Sequence, residues 1–483
     1  MERRDVLMAA GSIIALGGAG LSFDALADPA TSREDIATFS KNPAKVAALR
    51  AAFGAMQDRA VDQPVGWFNY AAIHGIYDDD PDGLGKAASL QGYWNQCHRN
   101  EGLFFIWHRA YLAALERNLQ LLSGRPALRL PYWDWYTQPT LPPVFRDEYL
   151  DAARTQKNPL FHPRRQYVAD GNPVWIPKSS TAIDQPTFAG LQEMLNDNEH
   201  GAIHVNVGGD MGHIPTAARD PIFWLHHCNI DRLFTAWVSR KGNVPDQTGA
   251  FDAGGYKFPI EKASDYTPRG VTLDMPSITP LGTGYESLDG PFQHKAPGGR
   301  VVRPRATRRI ASSTRAIGSN LLALNAPIAV EVPAGGLNIA FALPRRSDSK
   351  LNAVFNAVPL AEATSITIHL DQVRLAGSPE GLSGFDVFVG LPEGATDNAE
   401  PLKVGTISVF GLTMRHTMDG RTMMMAKDFR FSATRQFRGP AIRGSDLLVS
   451  LVANLAPGAD VSPKTPTLSI GDARVEVSAA PIE

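Results

Sequence analysis

Twelve histidines are spread unevenly along the chain: nine fall between His74 and His227, and only His294, His369 and His416 lie beyond. Clustering of this kind points to a metal centre, because neutral imidazole is the commonest metal-binding side chain. Two groups of three stand out. His74, His98 and His108 form the first, with His108 inside Leu103-Phe-Phe-Ile-Trp-His-Arg-Ala-Tyr-Leu. His200, His204 and His227 form the second. His200 and His204 are four residues apart, so on a helix both rings leave the same face, as a shared ion requires. Three neutral imidazoles per ion suit copper, with zinc also possible, and the lack of carboxylates disfavours magnesium and calcium. The HGAIH spacing lacks the glutamate of HExxH, which argues against a zinc protease of that kind. His162, in a Pro-rich loop, and His213, in a Gly-rich one, read as surface or hydrogen-bonded residues.

The elements that must position these rings are mostly helical. Residues 65–74 read as a helix or turn ending at His74. Residues 103–122 carry apolar residues at helical spacing, with Ser123-Gly124 as the stop. Further helical stretches span about 188–204 and 221–238. The pattern changes near residue 295. Residues 295–309 hold Pro, Gly and five arginines (Arg300, Arg303, Arg305, Arg308, Arg309), and 295–325 read as an exposed linker open to a protease around 300–309. Beyond it, Ala326–Val332, Ser365–Leu370, Phe385–Val389, Leu447–Val452 and Ala473–Val477 are short alternating runs separated by turn residues. The fold class expected is therefore a mainly α catalytic domain over 28–294, a helix bundle holding the metal site. An all-β, sandwich-like C-terminal domain follows over 326–483.

The remaining bounds are broad. A chain of 483 residues is long enough for two domains, and a net charge of -2 argues against nucleic acid as a partner. Arg3-Arg4, an apolar run to about Leu21 and Ala25-Leu26-Ala27 read as a signal peptide over 1–27 of the twin-arginine kind, so export to the periplasm or beyond is expected. That run is short for a transmembrane helix, and stable membrane insertion is not expected. Two cysteines, Cys97 and Cys228, are too few for a disulfide framework.

Two segments carry a family resemblance. CHRNEGLFFIWHRAYLAALE and ARDPIFWLHHCNIDR resemble the two copper-binding signatures of the tyrosinase, catechol oxidase and molluscan haemocyanin family. HVNVGGDMG, PLGTGYESL and FDVFVGLPEG extend the resemblance to plant-type polyphenol oxidases with a C-terminal domain. The resemblance implies two copper ions that together engage O2, the first held by His74, His98 and His108, the second by His200, His204 and His227. In the family pattern the ligand is the histidine four residues before the aspartate, so His227 ligates and His226 is its structural neighbour. Asp231 and Arg232 are expected either to orient a ligand or to pin the helix.

Several positions depart from the family pattern. The last two ligands of the first copper usually lie nine residues apart; here His98 and His108 are ten apart and Arg99 holds the expected place. Arginine stays protonated and cannot ligate. Cys97 is adjacent to His98, which makes the family's cysteine–histidine thioether doubtful. Gly201 stands where some members carry an asparagine that assists monophenol deprotonation. Asn196 replaces a water-holding glutamate, leaving Glu193 as a tentative substitute base. Ile214 occupies the position of a phenylalanine gate. The activity expected is oxidation of o-diphenols (catechols) to o-quinones with O2, latent until the C-terminal domain is displaced. The alternatives are a tyrosinase with monophenol hydroxylation, an o-aminophenol oxidase, a haemocyanin-like O2 carrier, or an exported binding protein whose histidines merely fill its core.

Overall fold

The computed structural model describes residues 32–478 except 78–83, 98–100, 177–181, 242–243, 263–283, 289–291, 293–299, 303–306, 311–312, 319–320, 327–329, 334–335, 343–364, 378–380, 391–401, 414, 419–420, 435–445 and 458–466. The signal-peptide reading of 1–27, His98 and His294 lie outside the described residues.

The N-terminal part is built on helices. Trp67–His74, Phe104–Ser123 and Ile222–Lys241 form as the apolar periodicity predicts. Phe104–Ser123 ends at Gly124, whose φ of 64° is the left-handed conformation that glycine adopts without a Cβ penalty. The stretch from Phe188 to Val207 is not one regular helix. A single α-turn, Phe188–Leu191, leads into π-helical winding over Gln192–His200 and then α-helix over Gly201–Val207. Long π-helical winding is rare and tends to mark functional sites. Side-chain periodicity could not reveal it, since it changes the turn by only one residue.

The C-terminal part is two large sheets, a sandwich-like arrangement as expected. One runs in the order Lys403–Ser408, Leu382–Val389, Asp446–Leu455, Leu337–Ala342, Thr307–Ile310, with Arg300–Val302 also paired to Asp446–Leu455. The other runs Ser313–Gly318, Leu321–Ala326, Asp472–Ser478, Ser365–Ala376, Thr467–Ile470, Val330–Val332, with Lys427–Ser432 on Ser365–Ala376. The linker reading of 295–325 is thereby corrected. Arg300–Val302, Thr307–Ile310, Ser313–Gly318 and Leu321–Ala326 are strands of these sheets. Ladder hydrogen bonding satisfied the backbone there despite the arginines and prolines that suggested a solvated connector.

Helices and sheets share one continuous apolar core, in which Phe223, Trp224 and Tyr111 are buried alongside Phe385, Val404, Ile407 and Phe410. Among the described residues no helix is long and apolar enough to cross a membrane.

Candidate metal centre

Five short pieces of chain bring six imidazoles together. His74 is the last residue of Trp67–His74, and His108 lies in the second turn of Phe104–Ser123. His200 closes the π-helical stretch, His204 follows in Gly201–Val207, and His226 and His227 come from Ile222–Lys241. None exceeds 2% exposure.

Four of these rings are locked in one tautomer by their neighbours. Nδ1 of His74 donates to the Ile214 carbonyl (2.9 Å) and Nδ1 of His108 to that of Phe104 (2.8 Å). Likewise, Nδ1 of His200 donates to Asn196 O (3.0 Å) and Nδ1 of His204 to Met211 O (2.8 Å). A ring that donates through Nδ1 keeps its lone pair on Nε2, the arrangement that orients metal-binding histidines. His226 is locked the other way. The Trp135 indole N–H donates to its Nδ1 (3.1 Å), which leaves the proton of the neutral ring on Nε2. The sequence expectation made His226 a structural neighbour of the ligands; its ring lies within the second donor group.

Donor atoms fall into two adjoining groups. One ring nitrogen each of His200, His204, His226 and His227 lies within 4.8 Å of the others, and His74, His108 and Cys97 form a second group on the same criterion. The groups share a wall: the His108 and His227 rings stack with centroids 4.2 Å apart. Nε2 of His200 and His204 and both nitrogens of His227 are buried without a hydrogen-bond partner. Leaving such groups unsatisfied is costly, and metal coordination removes the cost, so the donor set fits copper. Burial, reinforced by neighbouring imidazoles, pushes the His200 pKa down to about 3 and holds His204, His226 and His227 far below the usual range. The rings are neutral, as ligation requires.

Other expected residues are placed differently. Asp231 accepts from Arg109 Nε (2.6 Å), Arg33 Nη1 (3.4 Å) and the Tyr285 hydroxyl (2.5 Å). Arg232 donates to Ser287 O (2.8 Å) and Asn229 Oδ1 (3.1 Å). Asp231 thus ties Ile222–Lys241 to Phe104–Ser123 and to Arg33, and Arg232 ties it to Ser287. Glu193 belongs to neither donor group, and its Oε1 lies 3.1 Å from where a Cβ on Gly405 would sit, toward the C-terminal sheet. The buried carboxylate of this helix is instead Glu199, which accepts from the Tyr136 hydroxyl (2.5 Å) and from Ala182 N (3.2 Å). Ile214 is buried, and its amide donates to Thr413 Oγ1 (3.2 Å).

The sequence reading missed two features of the site. Cys97 Sγ lies 3.7 Å from His108 Nε2, inside the first donor group. Phe410, in a short turn after strand Lys403–Ser408, stacks on His204 with centroids 4.0 Å apart and planes 12° apart, and meets His200 edge-on at 5.5 Å. Thus the aromatic cover absent at Ile214 comes from the C-terminal part. No motif marks Phe410, whose role arises only from a contact across two hundred residues.

Comparison with known proteins agrees with this geometry. The common central domain of tyrosinase matches residues 64–187 and 178–240. Tyrosinase HcTyr1 of Hahella sp. (strain CCB-MM4) is 26% identical over 401 residues, covering 74% of this chain and 80% of that protein. The latent form of polyphenol oxidase from Prunus armeniaca is 27% identical over 302 residues, 50% of this chain and 49% of its own length. The chain thus spans about half of that plant relative. Latent apple tyrosinase shares the fold with a TM-score of 0.59 at 18% identity, covering 94% of this chain and 98% of that one. With the two adjoining histidine groups, these matches identify residues 64–240 as a tyrosinase common central domain and support a type-3 copper oxidoreductase of the tyrosinase and polyphenol oxidase kind, with two copper ions as its cofactor.

Proposed function

We propose that the chain oxidises o-diphenols to o-quinones with O2 and is held latent by its own C-terminal domain. The observation that carries the reading is the Phe410 ring lying flat on His204, where a phenolic ring would have to approach the second group of imidazoles. In this reading His74 and His108, with His98, hold one copper, and His200, His204 and His227 hold the other. Bound copper would supply the capacity to take up O2 and accept the two electrons that a catechol gives up. Two catechols and one O2 then yield two quinones and two waters.

The protein's own contribution is orientation and exclusion of water. Four Nδ1–H bonds to backbone carbonyls aim four Nε2 lone pairs before any metal arrives. Phe104 packs against His108 and His200, and Phe223 against His74 and His227, so the imidazoles are walled by apolar rings. His226 keeps a proton on Nε2 and therefore adds a hydrogen-bond donor, not a further lone pair. The placement of Glu193 leaves no carboxylate base in either group among the described residues. That absence, together with Gly201, favours diphenol oxidation over monophenol hydroxylation, because a catechol ionises more readily than a monophenol.

Latency follows from the same contact, since Phe410 occupies space a substrate ring needs. Export, a helical domain over 28–294 followed by a C-terminal domain whose strands begin at Arg300, and activation by a protease belong to this proposal. The strands inside 300–310 mean that a cut there has to open a sheet. Oxygen uptake by the copper-loaded chain, before and after limited proteolysis, with catechol, tyrosine and o-aminophenol, tests the reading. Activation by proteolysis with catechol as the preferred substrate is expected. Reversible O2 binding without catechol turnover would replace the reading with a carrier, and preference for o-aminophenol would move it to that reaction class.

A further inference from the structure

The second donor group holds one imidazole beyond the three that ligate the second copper in the reading above, for His226 stands with His200, His204 and His227. All four rings are buried. Four imidazoles suffice to close the shell of one ion. A closed shell suits a structural metal, whereas an ion that meets a substrate needs a position left open. Something must therefore keep His226 off the metal.

Trp135 does this. An indole N–H can only donate, so its bond to Nδ1 of His226 (3.1 Å) leaves the proton of the neutral ring on Nε2. His200 and His204 have the opposite arrangement, with Nδ1–H on the carbonyls of Asn196 and Met211. For His226 to ligate through Nε2, its proton would have to move to Nδ1 and face the indole N–H, donor against donor. The bond would break and strand a buried N–H, which is costly. The indole is held in place: Trp135 is fully buried, the Trp133 amide donates to the Leu225 carbonyl (3.1 Å), and Asp134 lies 3.6 Å from Arg232 on the His226 helix.

Nε2 of His226 is itself buried without a hydrogen-bond partner. The unpartnered nitrogens of His200, His204 and His227 suit a cation. A protonated Nε2 does not; it calls for an anion or an oxygen lone pair. One small group of rings thus asks for a metal and for an acceptor beside it.

We propose that Trp135 is a positioning residue that makes His226 a hydrogen-bond donor instead of a fourth ligand. The second copper then keeps an open position, where the oxygen of a phenolic substrate meets both the ion and the His226 Nε2–H. This rests on the dicopper reading above. His226 stays neutral throughout; it binds and orients the oxygen and passes on no proton.

The test uses the full-length chain loaded with Cu(II), and azide as the probe, an anion much smaller than the phenolic ring that Phe410 obstructs. Azide on Cu(II) gives a charge-transfer band, so its Kd is read optically without turnover. His226→Phe should weaken azide about tenfold, the size of one hydrogen bond to a charged group. His226→Gln, which keeps an N–H, should recover part of that loss. Trp135→Phe should weaken azide by more, because the freed imidazole closes the copper. The double variant Trp135→Phe/His226→Phe should then bind azide more tightly than Trp135→Phe alone, a reversal that mere loss of packing does not produce. Equal Kd for wild type and His226→Phe overturns the donor role. A double variant no better than Trp135→Phe overturns the positioning role. X-ray absorption of the copper-loaded wild type decides the matter even if the variants do not fold: three imidazoles per copper are expected, and a fourth at the second ion overturns the proposal. Failure of the dicopper reading would show separately, as fewer than two copper ions bound per wild-type chain.

Discussion

Burial without a partner charge decides how single residues behave at this site. Glu199 is fully buried, and desolvation raises its pKa from 4.5 to about 8 despite the hydrogen bonds from Tyr136 and Ala182. The folded state therefore holds a proton that the unfolded chain releases above its ordinary pKa. The resulting stability is present below pH 4.5 and is lost as pH climbs toward 8, at about 1.4 kcal/mol per unit of pKa difference. Glu199→Gln removes this dependence and keeps an amide oxygen as acceptor. Its melting temperature should gain on the wild type as pH rises from 5 to 8. A constant difference across that range would show that Glu199 ionises normally. Cys228 illustrates the same physics in a thiol: burial moves its pKa up to about 12, so it is inert, and its place beside His227 is a matter of packing.

Between elements, the donors stay in place because a buried ionic network ties their helices together. Asp231 on Ile222–Lys241 receives Arg109 from Phe104–Ser123, Arg33 from the N-terminal strand and Tyr285 from the strand paired with it. Arg33 also reaches Glu116 at 3.1 Å. All of these groups are buried, so removing one partner strands charge in a medium of low polarity. Asp231→Ala is expected to cost about 3–5 kcal/mol in unfolding free energy, read from the shift of a denaturant midpoint. A loss within the range of a surface pair, about 0–1 kcal/mol, would mean that water reaches the network. The π-helical winding of Gln192–His200 belongs to this scale as well. It ends at His200, and the Asn198 amide at its end donates to Thr406 Oγ1 at 3.3 Å, a residue of the C-terminal sheet. Metal-bearing helix and covering sheet are thus joined by hydrogen bonds as well as by apolar packing.

At the scale of the whole molecule, the C-terminal sheets and the histidine centre act on one another. Phe410→Ala should raise catechol oxidation by the intact chain, mainly through a lower KM, and should change little once the C-terminal part has been cut away. Equal rates for wild type and variant in the intact chain would remove Phe410 as the obstruction. Gly201 makes the complementary case. A Cβ there would collide with the Ser408 side chain and crowd Phe410, so the asparagine found in some family members has no room beside the docked sheet. Gly201→Asn should lower the melting temperature of the intact chain. In the proteolysed form, where Ser408 is gone, the same variant should be tolerated and should gain activity on tyrosine. If the intact variant is as stable as the wild type, the sheet does not seat tightly on that helix.

The sequence by itself determined the donor types, the helices that carry them and the alternation of the C-terminal strands. Those features are local: His200 and His204 on one helical face, His108 within an apolar helix, and Gly124 as its stop are all written in spacing. Arginines and prolines misread as a linker at 300–310 show where local pattern fails, since pairing with distant strands overrides composition. Only the tertiary structure decided that Phe410 lies on His204, that Cys97 joins His74 and His108, that Glu193 faces Gly405, and that Trp135 sets the tautomer of His226. Each of these is a contact between residues far apart in the chain, and such contacts carry no periodicity for a sequence to display.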